Sequence, residues 1–126
     1  MREIKFRGID VSLDVWRYGS LRNMNDGREI SWFNEDGYYH ARFVKPETVG
    51  QYTGLKDKAG REIFEGDILN RGKFTNCYIV KFSEFNSRWQ GEYKRNNLII
   101  CAFEFKNYEI IGNIHENHGL LYIKNV

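Results

Sequence analysis

Three carboxylates crowd one short stretch of this 126-residue chain: Glu62, Glu65 and Asp67. Side chains so close can share the work of general acid and base, or hold a divalent cation through oxygen ligands. Glu65-Gly66-Asp67 is equally turn chemistry, in which an Asp after Gly accepts backbone N–H groups. The turn reading is preferred, because no nucleophile, base and oxyanion set accompanies these acids. His115 and His118, three residues apart, would offer two nitrogen ligands on one face of a turn, half of a zinc site. Neither His40 nor a cysteine is placed by the sequence to complete it, so a solvent-facing pair is preferred. Cys77 and Cys101 lack Cys-x-x-Cys spacing and read as small packing residues. Neither a metal nor any other cofactor is expected.

Two further stretches invite binding rather than catalysis. Gly50-Gln51-Tyr52-Thr53-Gly54-Leu55 carries glycines four apart, which can admit a ligand or another backbone at close range. It lacks the Lys-Ser/Thr of a phosphate loop. A structural role is preferred, with Gly50 and Gly54 at bends and Tyr52 and Leu55 in the core. The run Arg88-Trp89-Gln90-Gly91-Glu92-Tyr93-Lys94-Arg95-Asn96-Asn97 mixes rings with cations. Arg88, Trp89, Tyr93, Lys94 and Arg95 would suit a strip that stacks on bases and neutralises phosphates. The same alternation also fits a strand whose Trp and Tyr face the core while Lys94 and Arg95 are solvated at its turn.

The elements that must position these residues are strands. Rings make up 16% of the chain, favouring a pleated surface, and twelve Gly against one Pro supply turns. Alternation begins at Ile4-Lys5-Phe6-Arg7, with Ile4 and Phe6 on one face, and resumes from Trp16 to Leu21 until the polar cluster Asn23-Met24-Asn25-Asp26-Gly27 breaks it, Asn-Asp-Gly being turn chemistry. Ile30 to Phe33 and Tyr38 to Val44 read as a hairpin around Asn34-Glu35-Asp36-Gly37. Pro46 redirects the chain, separating sub-units 1–45, of β-hairpins, and 46–126. Asp57 and Gly60 suit the ends of a type I turn.

Tyr78 to Phe82 is a half-buried strand, with Tyr78, Val80 and Phe82 on one face. Leu98 to Phe105 follows as another, with Ile99, Cys101, Phe103 and Phe105 sharing a face. Short strands after Glu65 follow the plan of a small SH3-like barrel, an analogy of pattern. One helical turn is expected near the end, capped by Asn113 with Glu116 three residues on. The fold class is therefore all-β in one compact domain, 1–126.

The formal charge of +2 is spread with a surplus of one on each side of Pro46, which does not single out a polyanion binder. Met1 to Arg7 alternates charged with apolar residues where a signal peptide needs an apolar run. No stretch approaches the roughly 18 apolar residues of a membrane span. A cytoplasmic protein with no membrane partner is expected.

Longer matches carry a family likeness: Met1 to Arg7, Tyr18-Gly19, Pro46 to Asp57, Glu62 to Ile68, and Ile111-Gly112-Asn113-Ile114-His115-Glu116-Asn117. With these segments in order, the chain resembles the YopX family. It departs from the family pattern at Lys45, Ala59, Phe64, His115 and His118, among others. The resemblance implies a mostly β protein encoded by phages and prophages, with no enzymatic activity to carry over. The expectation is a non-catalytic binding module that associates with itself, since short apolar strands leave edges to cover. A nucleic-acid-binding module is the alternative, and an enzyme ranks last.

Overall fold

The computed structural model describes residues 3–72, 76–117 and 119. Strands dominate them, and the chain divides into two compact units, Met1–Tyr52 and Thr53–Val126.

In the first unit β1 (Phe6–Ile9), β2 (Trp16–Met24), β3 (Gly27–Phe33) and β4 (Tyr39–Val44) pair antiparallel in sequence order, and the start of β5 (Gly50–Lys56) adds beside β1. The β2–β3 turn falls at Asn25-Asp26, where Met24 faces Gly27. Past β1, Val11 N–H donates to Phe43 O (3.1 Å) and Ile9 O accepts from Lys45 N–H (2.8 Å), so the chain after the first strand lies along β4. Ile9, Ile30, Val44 and Tyr52 are buried. The opening strand is displaced from its expected place: β1 begins at Phe6, and Ile4 is 70% exposed. Alternation of two apolar residues cannot say where pairing starts, and β1 is bounded by its register with β2. Lys45 is extended before Pro46, which opens a 3-10 turn, Pro46–Thr48.

In the second unit the end of β5 lies beside β6 (Glu62–Phe64). β7 (Asp67–Asn70), β8 (Tyr78–Ser83), β9 (Arg88–Tyr93), β10 (Ile99–Cys101) and β11 (Glu109–Asn113) form an antiparallel sheet of order β10-β9-β8-β7-β11. Its core is Ile63, Leu69, Tyr78, Val80, Trp89, Ile100, Phe105 and Tyr108. On β8, Tyr78 and Val80 face this core as expected, whereas Phe82 is exposed. Ile68 and Ile79 form a second cluster, packed by Cys77 and Ile114, so both faces of β8 carry apolar contacts at its start.

The expected strand from Leu98 to Phe105 is corrected. β10 stops at Cys101 and a 3-10 turn, Ala102–Asn107, follows, with Glu104 accepting the Cys101 N–H at 3.1 Å. The buried residues are Ile100 and Phe105, while Ile99 and Phe103 are exposed. Gly91 explains the choice of face. It pairs with Ile100, and a Cβ there would come within 2.6 Å of Ile100 Cγ1, so the bare backbone makes room for that side chain. Near the end of the described chain Asn113 Oδ1 accepts the His115 and Glu116 N–H groups, and Glu116 accepts from the Asn113 amide. The turn expected there is therefore present, held by the two residues that signalled it.

Candidate functional site

The register of β8 on β9 sorts the candidate strip onto two faces. Tyr78 opposes Tyr93, Val80 opposes Gly91 and Phe82 opposes Trp89, while Ile79 opposes Glu92 and Lys81 opposes Gln90. Side chains alternate along a strand, so the first set lies on the core side, where Phe82 at its far end is still exposed, and the second faces away. Trp89 is only 7% exposed and meets the Phe82 ring edge-on at 5.3 Å. Tyr93 is half-buried, its ring 6.0 Å from that of Tyr78. Arg88 stands exposed at the start of β9, and Lys94 and Arg95 are exposed just after its end. The structure thus separates Trp89 from the cations rather than joining all five residues on one accessible face.

On the face away from the core lies a groove of about 350 Å³, which Tyr93 reaches from the end of β9. Ile79, Tyr93 and Ile114 supply its apolar walls, and Lys81, Glu92, Lys94 and Asn97 its polar ones. Glu92 is held between Lys81 (3.7 Å) and the Gln90 amide, which donates to it at 3.0 Å. The turn beyond is closed by Tyr93 N–H to Leu98 O (2.8 Å) and Asn97 N–H to Tyr93 O (3.2 Å), fixing the backbone that carries Lys94. Such a surface can bind by burying apolar area and pairing charge at the rim. The volume sits near the small end of the roughly 300–1,000 Å³ typical of ligand pockets.

The carboxylates at 62–67 differ in burial and in partners. Glu62 and Glu65 are half-buried, and buried Asp67 accepts the Phe64 N–H at 2.7 Å. That bond ties the turn around Gly66, beside which His115 lies. His118 falls outside the described residues. No group of three or more His, Cys, Asp or Glu suited to hold a metal occurs among the described residues. In the glycine segment Gly50 pairs with Arg7 and Gln51 with Phe6, and Tyr52 is buried, with Lys5 5.2 Å from its ring centroid. Gly54 takes a left-handed φ of 84° with open space beside it, a bend that suits glycine.

Two acidic hubs emerge only in the folded chain. Asp10 is fully buried and receives Ser12 N–H (2.8 Å), Leu13 N–H (3.1 Å), Arg17 Nε (3.1 Å) and Arg42 Nε (2.8 Å). The Arg42 guanidinium, with those other donors, holds its carboxyl well below the usual carboxylate range against the opposing effect of burial. A small cleft of about 190 Å³ opens beside it, walled in part by Ala41 and Phe43. Asp57 is legible in the sequence only as a turn residue. Its Oδ1 accepts Ala59 N–H (2.9 Å) and Arg61 N–H (2.8 Å), and its Oδ2 accepts Ile110 N–H (3.0 Å). Burial pushes this carboxyl up, but the N–H donors and the Arg61 guanidinium outweigh it and leave it lowered. Both carboxylates are occupied by their own fold, which marks them as structural.

The YopX protein family matches residues 5–122, nearly the whole chain and both of its units. This chain belongs to the YopX family. Among solved structures it is similar to protein EF1440 from Enterococcus faecalis, with 25% identity over 96% of this chain and 99% of that chain, at a TM-score of 0.57. No curated protein matches it. The segments that carry the YopX likeness fall mainly on turns and buried strands: Gly50 to Leu55 on β5, Glu62 to Ile68 around the Gly66 turn, and Ile111 to Asn117 at the Asn113 turn. The groove instead draws on β8, β9 and Ile114. Among the described residues no helix is long and apolar enough to cross a membrane.

Proposed function

We propose that this YopX protein is a phage- or prophage-encoded accessory protein that works in the bacterial cytoplasm as a non-catalytic interaction module, with the β8–β9 groove as its working surface. The observation that carries the reading is the meeting of Ile79, Tyr93 and Ile114 with Lys81 and Lys94 around one concavity. An apolar floor with a charged rim is the anatomy of a binding patch. Self-association belongs to the same proposal, supported by large exposed apolar residues such as Phe33, Tyr38 and Phe103. The test is affinity purification from lysogenic cells with wild-type bait, Lys94→Glu bait and a Lys58→Glu control, identifying both proteins and nucleic acids. A partner lost only with Lys94→Glu supports the groove. Identical recoveries from all three baits would remove it.

Nucleic-acid binding is the second reading, favoured by Lys81 and Lys94 lining one groove with Tyr93, whose ring also packs against Tyr78. With Trp89 in the core, stacking would fall to a single ring where successive bases usually want several. A steep loss of affinity for single-stranded oligonucleotide with added salt would promote this reading. No binding at low salt would end it.

A further inference from the structure

The hairpin between β3 and β4 presents an apolar tip of unusual composition. Phe33, Tyr38 and Tyr39 are 70%, 69% and 55% exposed, and the Phe33 and Tyr39 rings meet across the strands at 5.5 Å. Between them Glu35 and Asp36 are exposed at the turn. The tip is well ordered by its own bonds. Asn34 N–H donates to Tyr38 O, Gly37 N–H donates to Asn34 O, and the Asn34 side-chain oxygen accepts the Tyr38 N–H, each at 2.9 Å. A preorganised tip binds with little ordering cost.

We propose that this tip docks into the β8–β9 groove of a second copy of the chain, so that the protein assembles head to tail. The inference rests on the groove being a docking surface and names its occupant. Charge complementarity selects that occupant. The tip offers rings flanked by two acids, and the groove offers Ile79, Tyr93 and Ile114 flanked by Lys81 and Lys94, two cations against the single acid Glu92, which Lys81 meets at 3.7 Å. Glu35 and Asp36 would repel a polyanion, so the tip is matched to a basic, apolar protein surface. Tip and groove are different surfaces, which makes the contact heterologous. Repeated, it closes a ring or extends a chain.

Head-to-tail contact has a signature that a symmetric interface lacks, because a variant damaged at one surface keeps the other intact. The experiment is size exclusion with light scattering on wild type, a tip variant (Glu35→Lys with Asp36→Lys) and a groove variant (Lys81→Glu with Lys94→Glu), each checked for folding by circular dichroism. Wild type should associate in a concentration-dependent way, and each variant should associate about tenfold more weakly or not at all. Mixed in equal amounts, a pair of variants should recover only a 1:1 complex if one keeps a working tip and the other a working groove. Reversed charges still match one another, so the double combination in one chain should restore association.

To keep one surface of each partner native, the mixing arm uses Phe33→Ser with Tyr39→Ser as tip variant against Lys94→Glu as groove variant. Association unaffected by the tip changes but abolished by Lys94→Glu would overturn the inference while leaving the groove as a docking surface for something else. Association unaffected by either change would remove both. A wild type that stays monomeric into the millimolar range would also overturn the inference.

Discussion

Asp57 Oδ2 accepts the backbone N–H of Ile110, 53 residues further along the chain, at 3.0 Å. Through Oδ1 the same carboxylate closes the turn that leads into β6, so one side chain ties a local turn to β11. Asp57→Ala leaves three backbone donors without this acceptor and should cost about 2–3 kcal/mol, read as a lower urea midpoint at an unchanged slope. Asp57→Asn keeps one acceptor oxygen and should cost less. An alanine variant as stable as wild type would refute the tie.

Acid should act through the two buried hubs. The Asp57 carboxyl is lowered despite its burial, and the Asp10 carboxyl is lowered more strongly, with Arg42 the largest cause. A group whose folded value lies below its unfolded value, about 3.9 for Asp, stabilises fully above that unfolded value. The stabilisation is lost as pH falls through the folded value. Wild type should therefore lose stability on acidification below about pH 4, and Asp10→Asn should show a shallower loss over the same range. Thermal melts across that range, with parallel acid limbs for the two proteins, would contradict the assignment.

Ile100 occupies the space that a side chain on Gly91 would need. Gly91→Ala should destabilise by about 1–3 kcal/mol through overpacking against Ile100 and Tyr78. Removing the obstacle should recover part of that cost. In a double-mutant cycle, Ile100→Ala should be less damaging in the Gly91→Ala background than in wild type. Strict additivity would show that the two residues do not compete for space.

Asp67 serves the Phe64 N–H at 2.7 Å inside the second unit. Asp67→Ala should lower stability by about 1–3 kcal/mol, because the buried donor loses its partner. Binding by the β8–β9 groove should persist in the folded fraction. A normally stable variant that has lost all binding would instead make these carboxylates working residues.

Features encoded within a few residues are legible in the sequence itself. The Asn34 to Gly37 hairpin, the Asp57–Gly60 turn with its 2.9 Å hydrogen bond, the extended Lys45 before Pro46 and the Asn113 cap all follow from short-range chemistry. So does the mostly β character, which alternation and aromatic content impose. The strand expected from Leu98 to Phe105 stops at Cys101, where the backbone turns into a 3-10 segment, a change that the apolar run from Leu98 to Phe103 does not signal. Local pattern offers two faces of β10, and Gly91, on the neighbouring strand, chooses between them.

The binding strip shows the same division. Arg88 to Arg95 contains its rings and cations in plain sight, and pairing with β8 puts Trp89 and Tyr93 on the core side, while Lys94, just past the strand, lines the groove together with the end of β9. Ile114 joins that groove from another part of the chain, as Arg42 joins Asp10 across 32 residues. Turn and strand preferences are written in neighbouring residues, because steric limits on φ and ψ and the two-residue pleat act locally. Which faces are buried, which carboxylates are consumed by the fold and where a groove opens depend on contacts between distant residues, and those exist only once the strands have paired.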